Sequence, residues 1–328
     1  MKPLTFAFQA DAEYLKRRID ALAPQIKGPS LDRERTRELL SDAGLNVHAL
    51  SLPPDVSFPL GLLAADAAFA VQAFRHSVVW ASSSVAVSAR ADGGLHVDAL
   101  VGRGNTPYFD VEYAHRFDAG VLCPPNQVES RTPLIRIAGE YRLLAEEGGK
   151  GDLRLVDGSI AGNRKAIKNA VGKEAEEASD AQKKLFKSGK IAAMCEDSHA
   201  SDIAQKIGYE TSNITVFSAA LNPLEYVVVE EEGVFVVYLI LPQKRLSYTV
   251  ERVSAPLAVR WEFSYGDYEK DLSALARLWT LEDDIIHPQI YPLRVADYLT
   301  RRIKVGSIIK ETAREHNLDL QYRDVRTT

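Results

Sequence analysis

The sequence predicts an α/β protein whose mixed β-sheet core is flanked by helices and preceded by an N-terminal helical appendage. β-rich runs occur both as a hairpin and singly between helical segments, which is the pattern of a mixed sheet. The segments before residue 76 instead place apolar residues at helical spacing, with proline and glycine between them. The chain has 328 residues, 46% hydrophobic and 26% charged, so its composition is that of a folded globular protein.

The residues before the sheet are predicted to form three helices. Ala10–Ala23 and Leu31–Ala43 are charged segments with leucine or isoleucine at helical spacing. Leu60–Phe74 is rich in alanine and unusually apolar, so we predict a third helix that is buried or contacts a partner. We therefore assign residues 1–75 to a helical appendage that contacts a second copy or a partner, and residues 76–328 to the core.

The core is predicted to start with the strands His76–Arg90 and Leu95–Gly102, joined by a turn at residues 91–94. The later predicted elements are the helix Leu134–Glu147, the strand Leu153–Gly158, the helix Asn163–Gly189, the strand Lys190–Met194, the helix Ser201–Ile207, the strands Gly233–Leu241, Ser247–Val253 and Leu257–Phe263, and the helices Tyr268–Trp279 and Pro292–Lys310.

Charge and motifs exclude several classes of protein. A net charge of −5 excludes a uniformly basic nucleic-acid-binding surface, although it permits a local basic groove. Two cysteines are too few for a disulfide scaffold, and no apolar run is long enough to span a membrane. The N-terminus lacks the apolar core of a signal peptide, so we expect a cytoplasmic protein. The motifs of phosphate loops, dinucleotide-binding folds, zinc proteases and serine hydrolases are absent from the sequence.

Asp157 is the first candidate site residue. It ends the apolar run Leu153–Val156 and is followed by Gly158 and Ser159. Sheet proteins place reacting or metal-binding groups at such strand ends, because the strand is rigid and the next turn opens to solvent. The alternative is an ordinary Asp-Gly turn in which Asp157 or Ser159 caps the following helix.

Glu140 is the second candidate. It shares a helical stripe with Ile137 and Leu144, so its side chain should point toward the sheet. An isolated buried carboxylate is costly, which makes a metal shared with Asp157 one solution and an arginine partner another. A half-exposed glutamate at the edge of the helix face is the remaining alternative.

Carboxylates that converge from separate elements suit a hard divalent cation, which prefers oxygen ligands and can activate water against a phosphodiester. Basic side chains near these carboxylates then suggest phosphate contact, with a solvated helix face as the alternative. The basic candidates for DNA binding are Arg164, Lys165, Lys168, Arg294 and Arg301.

In order and spacing, several segments between residues 76 and 306 resemble the NurA nuclease family, the partners of HerA-type DNA translocases. They are RIAGEYRLLAEE, LRLVDGSI, KIAAMCEDSHASDIA, VFVVYLIL, VRWEF and YPLRVADYLTRR. The resemblance implies an RNase H-like core, carboxylates that bind manganese (with magnesium as the alternative), action on single-stranded DNA and DNA ends, a HerA-like hexameric ATPase as partner, and a homodimer.

The resemblance also implies roles for individual residues. Glu140 and Asp157 match metal-binding acids of the family. Ala81 stands where the family's first motif has an aspartate, so the chain is either a naturally inactive member or carries a substituted ligand. Asp297 replaces the histidine of the C-terminal motif and remains able to bind a hard metal, and Tyr291 matches a nearby tyrosine.

Two functions follow from these expectations. The first is a manganese-dependent DNA nuclease that processes DNA ends or defends against phage, with Glu140, Asp157 and Asp297 as metal ligands. The second is a catalytically inactive DNA-binding scaffold for the translocase, which the alanine at position 81 favours. An unrelated α/β protein with an accidental Asp-Gly-Ser sequence is the third possibility.

Overall fold

The computed structural model describes residues 13–22, 31–53, 60–74, 77–97, 105–122, 128–148, 151–195, 199–242, 258–282 and 289–318. The helices of this part are α1 (13–22), α2 (Arg33–Asp42), α3 (Val128–Glu146), α4 (Ile160–Asn169), α5 (Lys173–Ser188), α6 (Asp202–Lys206), α7 (Asn213–Ala220), α8 (Glu269–Leu281), α9 (Tyr291–Arg302) and α10 (Val305–Glu315). Its strands are β1 (His48–Ala49), β2 (Leu60–Ala73), β3 (Val78–Val97), β4 (Asn105–Leu122), β5 (Leu153–Asp157), β6 (Lys190–Cys195), β7 (Glu225–Glu231), β8 (Val234–Ile240) and β9 (Ala258–Phe263).

One mixed sheet organises the chain. Its nine strands in the described residues lie in the order β1-β7-β8-β9-β6-β5-β2-β3-β4. Strands β2, β3 and β4 form an antiparallel meander, β5 pairs in parallel with β2, and β6 pairs in parallel with β5. A three-stranded meander continued by two parallel strands is the arrangement of an RNase H-like core. The predicted mixed sheet with an RNase H-like core is therefore confirmed.

Helices cover both faces of this sheet. Side chains of α3, α4 and α5 pack on one face of β2, β5 and β6, where Leu63, Val156 and Ala193 are fully or nearly fully buried. Side chains of α8 and α9 pack on the opposite face, around Trp261 and Leu62. Helix α10 extends that second layer over β2 and β3. The sheet is consequently buried on both faces along its parallel strands.

The prediction of a helix at Leu60–Phe74 is wrong, because this segment forms β2 at the centre of the sheet. Alanine-rich, apolar runs favour helices in isolation, but a strand covered by helices on both faces is also continuously apolar. Small side chains suit this position because α3 and α9 both pack against β2. Burial between two helical layers therefore outweighs the helical propensity of the segment.

Other boundaries also differ from the prediction. The turn predicted at residues 91–94 is part of β3, which runs to Val97 and carries a register shift against β4 between Ala91 and His96. The single helix predicted over Asn163–Gly189 is two helices, because α4 ends at Asn169 with Ala170 extended, and Gly172, with a positive φ of 102°, precedes the start of α5 at Lys173. The predicted strand Ser247–Val253 lies outside the described residues.

The first two N-terminal helices are present as α1 and α2. Helix α2 packs through Leu40 against α7, and Arg37 forms an ion pair of 2.8 Å with Glu225 of β7. Two strands of the sheet, β1 and β2, lie before the boundary that was predicted at residue 75. Contact of residues 1–75 with a second copy or a partner stays a prediction. Within the described residues, no helix combines the length and apolarity needed to cross a bilayer.

Candidate metal centre

The site forms where β5 ends beside β2. The parallel register of these strands ends with Ala65 opposite Val156. The next residue of each strand is an aspartate, Asp66 on β2 and Asp157 at the end of β5, so two carboxylates follow the last paired positions. Asp66 is 7% exposed. Strand β2 continues beyond this point without β5, which opens the sheet next to both aspartates.

The turn after Asp157 requires glycine. Gly158 has a φ of 86°, in the left-handed region that other residues rarely adopt. Its N–H donates to the carbonyl of Met194 on β6 at 3.2 Å. Ser159 then caps α4, accepting a hydrogen bond of 2.8 Å from the N–H of Gly162. Of the two alternatives for the Asp-Gly-Ser sequence, the helix cap is present at Ser159, and the Asp157 carboxylate accepts a hydrogen bond of 2.7 Å from Gln289.

Helix α3 brings a third carboxylate to this place. Glu140 is 2% exposed and lies between Ile137 and Leu144, which are equally buried, so the inward direction predicted from the helical stripe is confirmed. Burial raises the pKa of the Glu140 carboxyl well above its usual value, and the negative charges of Asp66 and Asp157 raise it further. Arg136 and the backbone N–H of Asp157 act in the opposite direction.

The Glu140 carboxylate is incompletely satisfied. Its Oε1 atom is buried and has no hydrogen-bond partner in the described residues. An unpaired buried acceptor costs about 1–3 kcal/mol, and more when it is charged. Two neighbouring acids make this cost larger, because they repel the ionised form. A positive charge near the three carboxylates would reduce both penalties, and carboxylate oxygens are the ligands that a hard divalent cation prefers.

Two side chains near the two aspartates orient them: Gln289 lies just before α9, and Thr300 lies within it. Gln289 donates from Nε2 to Oδ1 of Asp157 at 2.7 Å, and the hydroxyl of Thr300 donates to Oδ2 of Asp66 at 2.7 Å. Each bond fixes one oxygen of a carboxylate and thereby the direction of the other. As the side chains stand, no group of three His, Cys, Asp or Glu in the described residues is arranged to hold a metal ion.

Ala81 lies on a different strand from Asp66 and Asp157. It stands on β3 between Ala70 of β2 and Ala119 of β4, in a row of three alanines. The strand after His76 is the second strand of the meander, because β2 precedes it. The position taken from the first motif therefore loses its structural basis, and the acid on the first strand is Asp66. Asp66 is the single charged residue of β2, but this signal becomes usable only when the segment is recognised as a strand.

Tyr291 and Arg294 belong to a different cluster, centred on the buried carboxylate of Glu282. The Tyr108 hydroxyl donates to Glu282 at 2.7 Å and the Tyr291 N–H donates to it at 3.0 Å. Arg294 forms an ion pair with Glu282, and the rings of Tyr108 and Tyr291 stack 5.2 Å apart. Burial, followed by the charge of Glu282, raises the pKa of Tyr108 well above its usual value. This cluster anchors the start of α9.

Asp297, Arg301 and Arg164 each bind a neighbouring group of the protein. Asp297 is half-buried and pairs with Arg301 one helical turn later, at 2.7 Å. Arg164 donates to the carbonyls of Glu232 and Gly233 at 2.7 and 3.1 Å, so its guanidinium is tied to the β7–β8 turn.

Lys165 and Lys168 are exposed on α4. Lys168 lies 3.5 Å from Glu232, and the structure gives Lys165 no ion pair within the described residues. Of the predicted basic residues on α4, Lys165 therefore combines an exposed side chain with the absence of an ion pair among the described residues.

No family model and no curated protein matches the sequence. Solved structures do match. The NurA nuclease from Sulfolobus solfataricus superposes with a TM-score of 0.56 at 15% identity, over 94% of this chain and 98% of that one. The chain has the NurA fold. A NurA structure with manganese gives a TM-score of 0.52 at 10% identity, over 92% and 98% of the two chains. A NurA structure bound to dAMP and manganese gives a TM-score of 0.53 at 9% identity, over 93% of this chain and 97% of that one.

The likeness to NurA structures covers nearly the whole of each chain. Because identity is low, it establishes a common fold. It agrees with the resemblance inferred from the ordered motifs.

Proposed function

We propose that this chain is a metal-dependent DNA nuclease of the NurA family. The observation that carries the proposal is the buried, unpaired Oε1 of Glu140 on a carboxyl that also feels the charges of Asp66 and Asp157 from two other elements. The NurA fold supports it, and one NurA structure is bound to dAMP and manganese.

Asp66, Glu140 and Asp157 would hold the cation, with manganese as the expected ion and magnesium as the alternative. When bound, such a cation supplies the positive charge that activates water and stabilises the charge developing on a phosphodiester. Gln289 and Thr300 hold two of the carboxylates in fixed directions before the cation arrives. Exposed basic side chains such as Lys165 would attract the phosphate backbone.

The nuclease function is favoured over the inactive scaffold, because the argument for inactivity rested on Ala81. With Asp66 on the first strand, no ligand needs to be restored. Asp297 is left outside the proposed ligand set because its carboxylate pairs with Arg301. A HerA-like hexameric ATPase as partner, a homodimer, and a role in DNA end processing or phage defence remain parts of this proposal that rest on the resemblance alone.

The test is a nuclease assay on single-stranded DNA with manganese, comparing the wild-type chain with Asp66→Asn, Glu140→Gln and Asp157→Asn. We expect cleavage by the wild type and a loss of two or more orders of magnitude in each variant, with DNA binding retained. Absence of metal-dependent cleavage in wild type that binds DNA would favour the scaffold. Equal cleavage by wild type and all three variants would refute the assignment of the site.

A further inference from the structure

A further buried carboxylate, Glu262, contacts Ser159 in the turn that follows Asp157. Glu262 on β9 is fully buried and pairs through its backbone with Ala193 of β6 and Val236 of β8. Its side chain points to the face covered by α4. The resemblance did not single out this residue, and the proposed metal centre does not use it.

Glu262 holds the start of α4 by two hydrogen bonds. Its Oε1 accepts from the Ser159 hydroxyl at 2.7 Å, and its Oε2 accepts from the Ala161 N–H at 2.8 Å. Ser159 Oγ in turn accepts from the N–H of Gly162. One carboxylate therefore binds both a backbone donor of the first helical turn and the side chain that caps that turn.

The charge of Glu262 is balanced within the protein. Arg260 donates from Nε to Oε1 of Glu262 at 2.7 Å, and its Nη2 lies 2.7 Å from Glu231. The Cys195 thiol also contacts Oε1, at 3.6 Å. A buried, paired and multiply hydrogen-bonded carboxylate has a fixed direction, since every donor around it would have to move if it turned.

Only Gly158, with a left-handed φ of 86°, separates Ser159 from Asp157. Because glycine has no Cβ and can adopt many backbone conformations, this link keeps one conformation only when both sides are held. On one side Asp157 is held by the pairing of β5 with β6, and on the other side by the bonds from Ser159 and Ala161 to Glu262. We propose that Glu262, acting through Ser159, is a positioning residue that fixes the carboxylate of Asp157 in the geometry that a divalent cation requires.

This inference rests on the proposed function, because it assigns Glu262 a role in the same site. A positioning role for Glu262 differs from a purely structural role in one measurable respect. A residue that only stabilises α4 would affect unfolding and leave metal affinity unchanged, whereas a positioning residue changes metal affinity as well. Groups that orient metal ligands typically contribute about 10- to 100-fold to metal affinity or activity.

The experiment measures manganese affinity by titration calorimetry and single-stranded DNA cleavage for five proteins. They are the wild type, Ser159→Ala, Ser159→Thr, Glu262→Gln and Ser212→Ala. Ser212 is a matched control, since it caps α7 by the same type of bond, with Thr215 N–H, and lies outside the site. Ser159→Thr keeps the hydroxyl and is the rescue variant.

We expect Ser159→Ala and Glu262→Gln to bind manganese about 10-fold more weakly and to lower kcat with KM for DNA unchanged. Ser159→Thr should retain wild-type affinity, and Ser212→Ala should lose stability only. If Ser159→Ala binds manganese as tightly as Ser212→Ala does, the inference is overturned. This outcome can be read even if Glu262→Gln fails to fold. A wild type that binds no manganese and cleaves no DNA would overturn the proposed function, and the inference with it.

Discussion

Replacing Glu140 with glutamine should stabilise the metal-free protein while abolishing its activity. Glu140 is buried, its Oε1 has no partner, and two acids act on it. Glutamine has nearly the same shape and carries no charge, and its amide can donate a hydrogen bond toward Asp66 or Asp157. The substitution therefore removes an unfavourable buried charge without opening a cavity.

The magnitude follows from the cost of an unsatisfied buried acceptor, about 1–3 kcal/mol. For a chain of this length, each kcal/mol corresponds to about 2 °C in Tm. We expect Glu140→Gln to raise the Tm of the metal-free protein by about 2–6 °C at pH 8. A matched control is Glu176→Gln, at an exposed position of α5, which should change stability by less than about 0.5 kcal/mol.

The stabilisation should depend on pH with a defined sign. The pKa of Glu140 is higher in the folded protein than its reference value of 4.5, so the folded state holds this proton more tightly. The wild type consequently loses stability relative to Glu140→Gln as pH rises from about 4.5 through the raised pKa of the folded protein, and the two proteins converge at lower pH.

The assay is thermal unfolding followed by circular dichroism between pH 4 and pH 9, with a chelator present. Adding manganese should reverse the order of stability, because only the wild type binds the ion. A Glu140→Gln protein that is less stable than wild type at pH 8 without metal, or a difference that does not change with pH, would refute the account of this carboxylate.

Three further predictions concern the surroundings of the site. Thr300→Val, which removes the hydroxyl that binds Asp66, should weaken manganese binding about 10-fold in calorimetry, whereas Thr300→Ser should not. Arg294→Met should destabilise the fold by about 3–5 kcal/mol in urea unfolding, because Glu282 is left buried without its cation, and adding Glu282→Gln should recover part of this loss. Lys165→Ala should lower the affinity for single-stranded DNA and reduce the salt dependence of binding by about 0.7 in log–log slope, with unchanged unfolding, whereas Arg164→Ala should lower stability, since its guanidinium bonds the β7–β8 turn. These assignments would be contradicted if Arg164→Ala or Arg294→Met were as stable as the wild type. They would also be contradicted if Thr300→Val and Thr300→Ser bound manganese with the same affinity.

Local patterns in the sequence were sufficient for part of the fold. The strand ending at Asp157 has a compact apolar run and a glycine turn, and the inward stripe of α3 has clear helical spacing. Both signals arise within a few residues of the element itself. They predicted two carboxylates, Glu140 and Asp157, at positions where the structure brings them into electrostatic contact.

The remaining carboxylate could not be found in this way. β2 is apolar on both faces because helices cover both, so its periodicity matches a buried helix as well as a strand. Assigning it to a helix shifted the first strand to β3 and the first motif to Ala81. Likewise, the pairing of Arg294 with Glu282 depends on how α8 and α9 meet, which no local pattern encodes.

We propose that Asp66 on β2, and not position 81 on β3, supplies the ligand that the meander contributes to a divalent-cation site. The most direct measurement is manganese-dependent cleavage of single-stranded DNA by the wild type, Asp66→Asn and Ala81→Asp side by side. We predict cleavage by the wild type, a loss of at least two orders of magnitude in Asp66→Asn, and no gain in Ala81→Asp. The assignment would be contradicted if the wild type were inactive, Ala81→Asp were active, and the double variant with Ala81→Asp and Asp66→Asn remained active.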